Sequence, residues 1–366
     1  MEKNIFALFM IIPFAVNAQL STKENNLDDY INTWRIENGV QGISVSIYGK
    51  NNIKTIVSGW RSDKKDSLQV NDSFLIGSVS KTFTAAAILS LVEKGIIKLN
   101  KSAAELSGLN IPQDITVSQL LYHEAGLPEY MGGALSFEVF LKEHANGRDS
   151  WTSEEIRSFS VQNPVIKNPV FSYSNSHFVV LGAIIEKQTG KPLNEALNSL
   201  IFKPTRLNSA RLVKSETDNP NAYGKSEGIK TVLGSSQINS RLTCELATAG
   251  DTAGGIAINS SDLAIWAMHY FSGNFSDSLL FKNPLGGEAF GLTSDHIKVG
   301  PGVYEVVYNK QILRLHGGDG LGSTALIVYD PVKVKSVAIL VNDDKLHSLG
   351  FGEKGFLDLL AIELLK

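Results

Sequence analysis

From Phe74 to Gly95 the chain reads FLIGSVSKTFTAAAILSLVEKG, and apolar residues fall on nearly every face of the helix it spells. A helix without a polar face has to be buried on all sides. The segment therefore predicts the centre of the fold: a short strand at Phe74-Leu75-Ile76, a turn at Gly77, and a helix stopped at Gly95. Upstream, Leu27, Tyr30, Ile31 and Trp34 recur at the spacing of an amphipathic helix. Gly42 to Tyr48 and Ile53 to Ser58 alternate as two strands about Gly49-Lys50-Asn51-Asn52, a hairpin. Arg61 to Asp72 is polar and reads as a loop.

Beyond Leu99 the period changes. Thr116 to Tyr122, Ser136 to His144, Ser153 to Val161, Ser176 to Lys187 and Leu193 to Ile201 have helical spacing, and Gly190 and Pro204 punctuate the last two. Asn208 to Gln237 is irregular and more loop than element. After the small, glycine-rich Ala249 to Gly255, a helix starts at Ser261-Asp262 and runs from Leu263 to Phe271. Strands return at Val303 to Tyr308, Gln311 to His316, Ser323 to Tyr329 and Val334 to Val341. Their connections are short, which implies antiparallel pairing. Phe356 to Leu365 reads as a closing helix. The expectation is a mixed α/β fold of the α+β type. Residues 19–98 and 249–366 build one antiparallel sheet flanked by N- and C-terminal helices, and an all-helical domain is inserted at 99–248.

Composition narrows the function more than the fold. The chain has 366 residues, 43% hydrophobic, and a net charge of -3. That is ample for a large core. The balanced charge, with no basic block, argues against nucleic acid or an anionic membrane surface as a partner. Ile5 to Val16 is an apolar run broken by Pro13, and Val16-Asn17-Ala18 resembles a cleavage site. Residues 1–18 therefore read as a signal peptide cut after Ala18. That predicts a periplasmic or secreted protein with no stable membrane span after cleavage. Cys244 is the only cysteine, so no intramolecular disulfide forms, and it reads as a small buried hydrophobe.

The candidate chemistry sits at the mouth of the apolar helix. Ser78 and Lys81 are three residues apart, on one face of a helix. A lysine in an apolar setting tends to lose its proton, and a neutral amine beside a hydroxyl is a base beside a nucleophile. Ser62 and Lys65 share the spacing but lie in a polar loop. Such a pair needs a proton relay, a substrate hold and an oxyanion site. Tyr173-Ser174-Asn175, just before a helix, offers Tyr173 and Asn175 on one side of an extended segment. His316-Gly317-Gly318 ends a strand, where two glycines leave a backbone edge bare for a substrate. There is no Gly-x-Ser-x-Gly elbow. His123-Glu124 lacks the second histidine of a zinc helix, and no metal or cofactor is called for. His177 reads as structural.

FLIGSVSKTFTA, YSN and HGG, in that order, resemble the serine β-lactamase and penicillin-binding superfamily, and more closely its class C branch with D-peptidase and esterase relatives. LVEKGIIKLN, ITVSQLLYHEAGLPEY, VVLGAIIEKQTGKPL, IFKPTRLNSA and AGGIAINSSDLAIWA extend the resemblance over roughly Val40 to Val341. It implies a β-lactamase/transpeptidase-like fold and an exported serine hydrolase acting through a Ser78 acyl-enzyme. The implied substrates are D-amino-acid peptides, peptidoglycan fragments or small esters. Ser78 is then the nucleophile, Lys81 its partner, Tyr173 the base or relay and Asn175 the amide contact. His316 stands where lactamases carry the lysine of Lys-Thr-Gly, so a permanent cation is missing, as in the peptidase and esterase members. The N–H groups of Ser78 and of Asp319, after Gly318, would form the oxyanion hole. Glu124-Ala125 stands where the family usually has Thr-Ser. The rival readings are a class C-like β-lactamase and a non-turnover penicillin- or peptidoglycan-binding sensor, the latter motivated by the acidic Asp319.

Overall fold

The structure is a computed structural model that describes residues 27–162, 165–166, 171–272, 288–289, 292–293, 297–308, 310–349, 360–361 and 364–366. The segment expected as a signal peptide lies outside the described residues. So does most of the expected closing helix, of which Leu360, Ala361, Leu364 and Leu365 are described, helical and buried.

Helix α1 (Leu27–Asn38) leads into β1 (Gly42–Gly49) and β2 (Asn52–Gly59). Lys50 and Asn51 both have positive φ, +52° and +59°, which is the backbone of a two-residue hairpin whose twist matches its strands. After β3 (Ser73–Leu75) comes a 3₁₀ turn, Gly77–Val79, and then α2 (Ser80–Glu93). Every residue of α2 from Ser80 to Leu91 is buried, as its all-round apolar sequence requires. Phe83 stacks on Trp266 at 4.4 Å, and Trp266 Nε1 donates to Thr82 Oγ1 at 2.8 Å. Gly95 ends the helix at φ +69°, and Ile96 N closes the cap on Leu91 O at 3.0 Å.

The helical middle comprises α3 (Ala103–Ser107), α4 (Val117–Leu121), α5 (Phe137–Ala145), α6 (Ser153–Val161), α7 (Asn175–Thr189) and α8 (Leu193–Leu197). Two corrections arise here. α3 is too short for its period to show, and Asn198–Phe202 continues α8 as a π turn instead of an α-helix. The irregular stretch expected at 208–237 holds β4 (Arg211–Leu212) and α9 (Lys230–Leu233). Then α10 (Ser240–Gly254) runs through the glycine-rich segment and across the expected boundary at 248/249.

β5 (Ile256–Asn259) pairs with β3 and β4 in a small three-stranded sheet that the sequence pattern did not reveal. After α11 (Ser260–Phe271), β6 (Glu288–Ala289) and β7 (Leu292–Thr293) pair antiparallel. β8 (Ile297–Gly300), β9 (Val303–Tyr308), β10 (Gln311–Gly320), β11 (Ser323–Asp330) and β12 (Lys335–Val341) complete the chain's strands among the described residues. The main sheet has seven antiparallel strands in the order β2-β1-β12-β11-β10-β9-β8. The two chain ends meet where β1 pairs with β12, from Ile43↔Val341 to Gly49↔Lys335. α11 lies on this junction: Ser44 and Ser46 hydroxyls meet Ser260 Oγ at 2.8 and 2.7 Å, and Ser336 Oγ donates to Ala264 O. The fold is thus the mixed α/β arrangement expected, a large antiparallel sheet with helices. The mouth of α2 is held between β10, β5 and α10.

Candidate active site

Ser78 sits in the 3₁₀ turn ahead of α2, not in the α-helix itself. β5 clamps that turn. Ile76 N donates to Ile256 O at 3.1 Å, and Ile256 N donates to Ser80 Oγ at 3.1 Å. One turn later, Lys81 has no exposed surface at all. Its Nζ lies 2.9 Å from Ser78 Oγ, 2.6 Å from Asn175 Oδ1 and 2.9 Å from Ala253 O. Burial lowers the Lys81 pKa to about 7, and the charge of Glu129 pulls it partly back up. In its neutral form the amine can satisfy all three contacts. Two N–H bonds go to Asn175 and Ala253, which can only accept, and the lone pair is left for the Ser78 hydroxyl.

Asn175 opens α7, behind Ser174, whose Oγ accepts from Ser176 N. Its amide is oriented by Glu129, a residue the sequence reading passed over. Glu129 Oε2 accepts from Asn175 N at 2.7 Å and Nδ2 at 3.0 Å, while Oε1 accepts from Met131 N at 2.8 Å. With Nδ2 committed to the carboxylate, Oδ1 has to face Lys81. The other acceptor, Ala253 O, depends on a break in α10. Asp251 has φ +41° and ψ -134°, and its buried carboxylate takes Lys214 Nζ at 2.9 Å and Ser153 Oγ at 3.1 Å. A non-glycine residue in that region is strained. Here the strain turns the carbonyls that follow toward α2, since Thr252 O also accepts from Thr84 Oγ1 at 2.7 Å.

Tyr173 also meets Ser78, with a hydrogen bond between the two side chains, and its ring lies 4.9 Å from Lys81 Nζ. Burial raises its pKa well above the usual phenol range; the bond to Ser78 opposes this, and Glu129 and Asp319 add to it. A phenol that keeps its proton donates to Ser78 Oγ. The donors then run in one direction, from Tyr173 to Ser78 to Lys81. The ring of Tyr173 packs on His123 at 4.4 Å. His177 Nε2 accepts from Leu127 N, so its Nδ1 carries the hydrogen and donates to His123 Nδ1 at 3.1 Å. Both histidines are buried and burial lowers both pKa values, so they form a neutral pair under the tyrosine.

β10 supplies the remaining residues. Its pairing with β9 ends at Leu315↔Tyr304, while its pairing with β11 continues to Gly320. The two glycines serve close packing more than a bare edge. A Cβ at Gly318 would lie 2.1 Å from Ile76 O and 3.0 Å from Ser78 N, and one at Gly317 would lie 2.3 Å from Ser348 Oγ. Strand alternation then assigns the faces. His316 shares the Gly318 face, toward the Ser78 turn. Asp319 shares the Gly317 face, and its carboxylate accepts from Ser348 N at 2.8 Å and Ser348 Oγ at 2.7 Å. The acidic side chain is therefore turned from the Ser78 turn toward Ser348. His316 is 2% exposed, with its pKa lowered to about 3, first by burial and then by Lys81.

Ser78 and Asn175 open on a cavity of about 270 Å³. Its walls are largely apolar: Met131, Leu135, Phe137 and Phe140 on one side, Leu246 and Ala249 of α10 on the other. No Lys or Arg is among its described lining residues. Among the described residues no group of three or more His, Cys, Asp or Glu could hold a metal ion. No described helix is long and apolar enough to cross a membrane. Cys244 is buried.

A family model described as Beta-lactamase matches residues 27–361. The chain is 25% identical over 217 residues to the D-alanyl-D-alanine-carboxypeptidase/endopeptidase AmpH of Escherichia coli (strain K12), covering 57% of this chain and 51% of that protein. It is 23% identical over 189 residues to penicillin-binding protein 4 of Amycolatopsis lactamdurans, covering 50% and 47%. The chain thus spans about a third to a half of the length of the curated relatives it matches. In fold it is similar to the D-amino acid amidase of Ochrobactrum anthropi SV3, with a TM-score of 0.73, 21% identity, and 92% of this chain and 97% of that one covered. The match along nearly the whole described chain, on this fold, means that it belongs to the beta-lactamase family, within the superfamily of serine β-lactamases and penicillin-binding proteins.

Proposed function

We propose that this protein is an exported hydrolase that opens amides of apolar D-amino acids, or short D-amino-acid peptides, through an acyl-enzyme on Ser78. The observation that carries the reading is the buried Lys81 amine 2.9 Å from Ser78 Oγ with both of its N–H bonds already committed. Ser78 Oγ attacks the scissile carbonyl and its proton passes to Lys81 Nζ. The N–H groups of Ser78 and Asp319 hold the oxyanion as the tetrahedral intermediate forms. Collapse breaks the C–N bond. Tyr173 gives its proton to the leaving nitrogen and is refilled from the Lys81 ammonium. Water then repeats the sequence on the ester, returning Ser78 and releasing the acid. Asn175 holds the amine in place and lines the acyl pocket.

Three features favour uncharged amides or small esters over carboxylate-bearing substrates. The cavity is apolar, its described lining offers no fixed cation, and His316 is neutral. Two fold relatives, a D-amino acid amidase and a D-stereospecific amidohydrolase from Streptomyces, agree with that class. Peptidoglycan peptides with an uncharged C-terminus fit the same preference, and β-lactam hydrolysis, on substrates that carry a carboxylate, is the alternative. The Asp319 carboxylate, which motivates the sensor reading, is bonded by Ser348 and lies on a residue that lines the cavity. The test is a panel of D- and L-amino acid amides, esters and a fluorescent penicillin, with turnover and acyl adduct both recorded. Turnover lost in Ser78→Ala is expected. Full activity in that variant, or a single stoichiometric burst without turnover, would overturn the reading.

A further inference from the structure

Beside the Ser78–Lys81 pair lies a buried acceptor without a donor. His316 Nδ1 is 2.7 Å from Gly317 O. A carbonyl cannot donate, so Nδ1 carries the hydrogen and Nε2 presents a lone pair. Nε2 is buried and meets no hydrogen-bond partner among the described residues. Unpaired buried acceptors are costly and rare. The neighbouring donors of the site are spent, Tyr173 on Ser78 and Lys81 on Asn175 and Ala253. The ring faces the Ser78 turn, on the same side of β10 as Gly318, with Tyr304 packed on it at 5.3 Å. His316 is not part of the apolar cavity wall, which is where an acyl side chain fits. It sits instead two positions before Gly318, on the strand face that meets the Ser78 turn, where the charge of Lys81 reaches it.

We propose that His316 Nε2 is a leaving-side subsite that accepts a hydrogen bond from the substrate's N–H. The subsite rests on the acyl-enzyme reading above. It makes His316 a specificity-determining residue: a lone pair welcomes an amide N–H, gains nothing from an ester oxygen, and repels a carboxylate. A site built to pair a donor discriminates strongly against the analogue that lacks it, because the acceptor is then left bare. A cation at this position would have the reverse preference.

The test uses D-phenylalanine amide and D-phenylalanine methyl ester, which share an acyl group and differ in the leaving-side N–H. In His316→Phe the amide-over-ester ratio of kcat/KM falls by about tenfold or more, and His316→Gln, whose Oε1 still accepts, retains most of it. A fall that is equal for the two substrates to within about twofold overturns the subsite and leaves His316 a packing residue. A binding readout covers a variant that does not fold. In Ser78→Ala, ¹⁵N spectra of the imidazole show an Nδ1–H tautomer, and the Nε2 resonance moves on saturation with the amide but not with the ester. No movement at saturation also overturns the proposal. If the unaltered enzyme turns over neither substrate, the acyl-enzyme reading fails, and the spectra still decide the subsite.

Discussion

The pH dependence of acyl transfer follows from the setting of Lys81. With a pKa of about 7, half of the molecules hold a neutral amine at pH 7, whereas an ordinary lysine near 10.4 would leave roughly one in 2,500 neutral. Burial therefore raises the supply of base about a thousandfold at neutral pH. The pKa is lowered, so the active neutral form predominates above it: kcat/KM rises as pH climbs through 7 and levels off above about 8. Only about one molecule in a hundred is competent at pH 5, a hundredfold loss. Tyr173, shifted upward, sets no limb in this range. His123, His177 and His316 are all shifted downward and stay neutral through it. The pKa of His347 is raised by its bond to Asp319, and His347→Asn controls for it. The discriminating variant is Glu129→Gln. The Glu129 charge holds the Lys81 pKa up, so its removal moves the acid limb to lower pH, whatever happens to the plateau. The assay is hydrolysis of an activated ester from pH 5 to 9, corrected for spontaneous hydrolysis. A flat profile, a midpoint near 10, or an upward move in Glu129→Gln would refute the reasoning.

Other consequences are simpler to check. Phe83→Ala removes the ring stacked on Trp266 inside α2 and costs about 3–5 kcal/mol, a fall in Tm of roughly 5 °C by calorimetry. Lys214→Ala leaves the Asp251 carboxylate buried without its cation and costs about 3 kcal/mol. Because Ala253 O lies two residues beyond the strained Asp251, activity falls with it, and Lys214→Arg restores both. Phe140→Ala opens the apolar wall and lowers kcat/KM for an aromatic acyl group relative to acetyl by about tenfold, read from paired esters.

The parts of this molecule legible in the sequence are those with long periodic patterns. α2 is apolar all round, the two terminal sets of strands alternate with short turns, and both features predict one sheet built around one buried helix. The pair at Ser78 and Lys81 was legible because burial of the helix implied burial of the amine. What escaped was set by distant contacts. β5 is four residues long and pairs with segments 184 and 44 positions away, at Phe74↔Ile258 and Leu212↔Ile256, so no local pattern marks it. Glu129 is a lone carboxylate in an apolar stretch, and only the position of Asn175 gives it a task. Asp251 lies in a small, glycine-rich run without a period, and its kink shows only in the backbone angles. The glycines after His316 suggested an open edge; their closeness to Ile76 and Ser348 depends on how the turn and the 348 segment fold back on β10.

The measurement that bears most directly on the neutral-amine claim is the rate at which an acyl group appears on the Ser78 peptide, read by rapid quench and mass spectrometry, in the unaltered protein and in Lys81→Met. The account predicts an adduct on Ser78 whose rate of formation rises with pH through about 7, and its disappearance in Lys81→Met. An adduct on another residue, or equal rates of labelling in the two proteins, would contradict it.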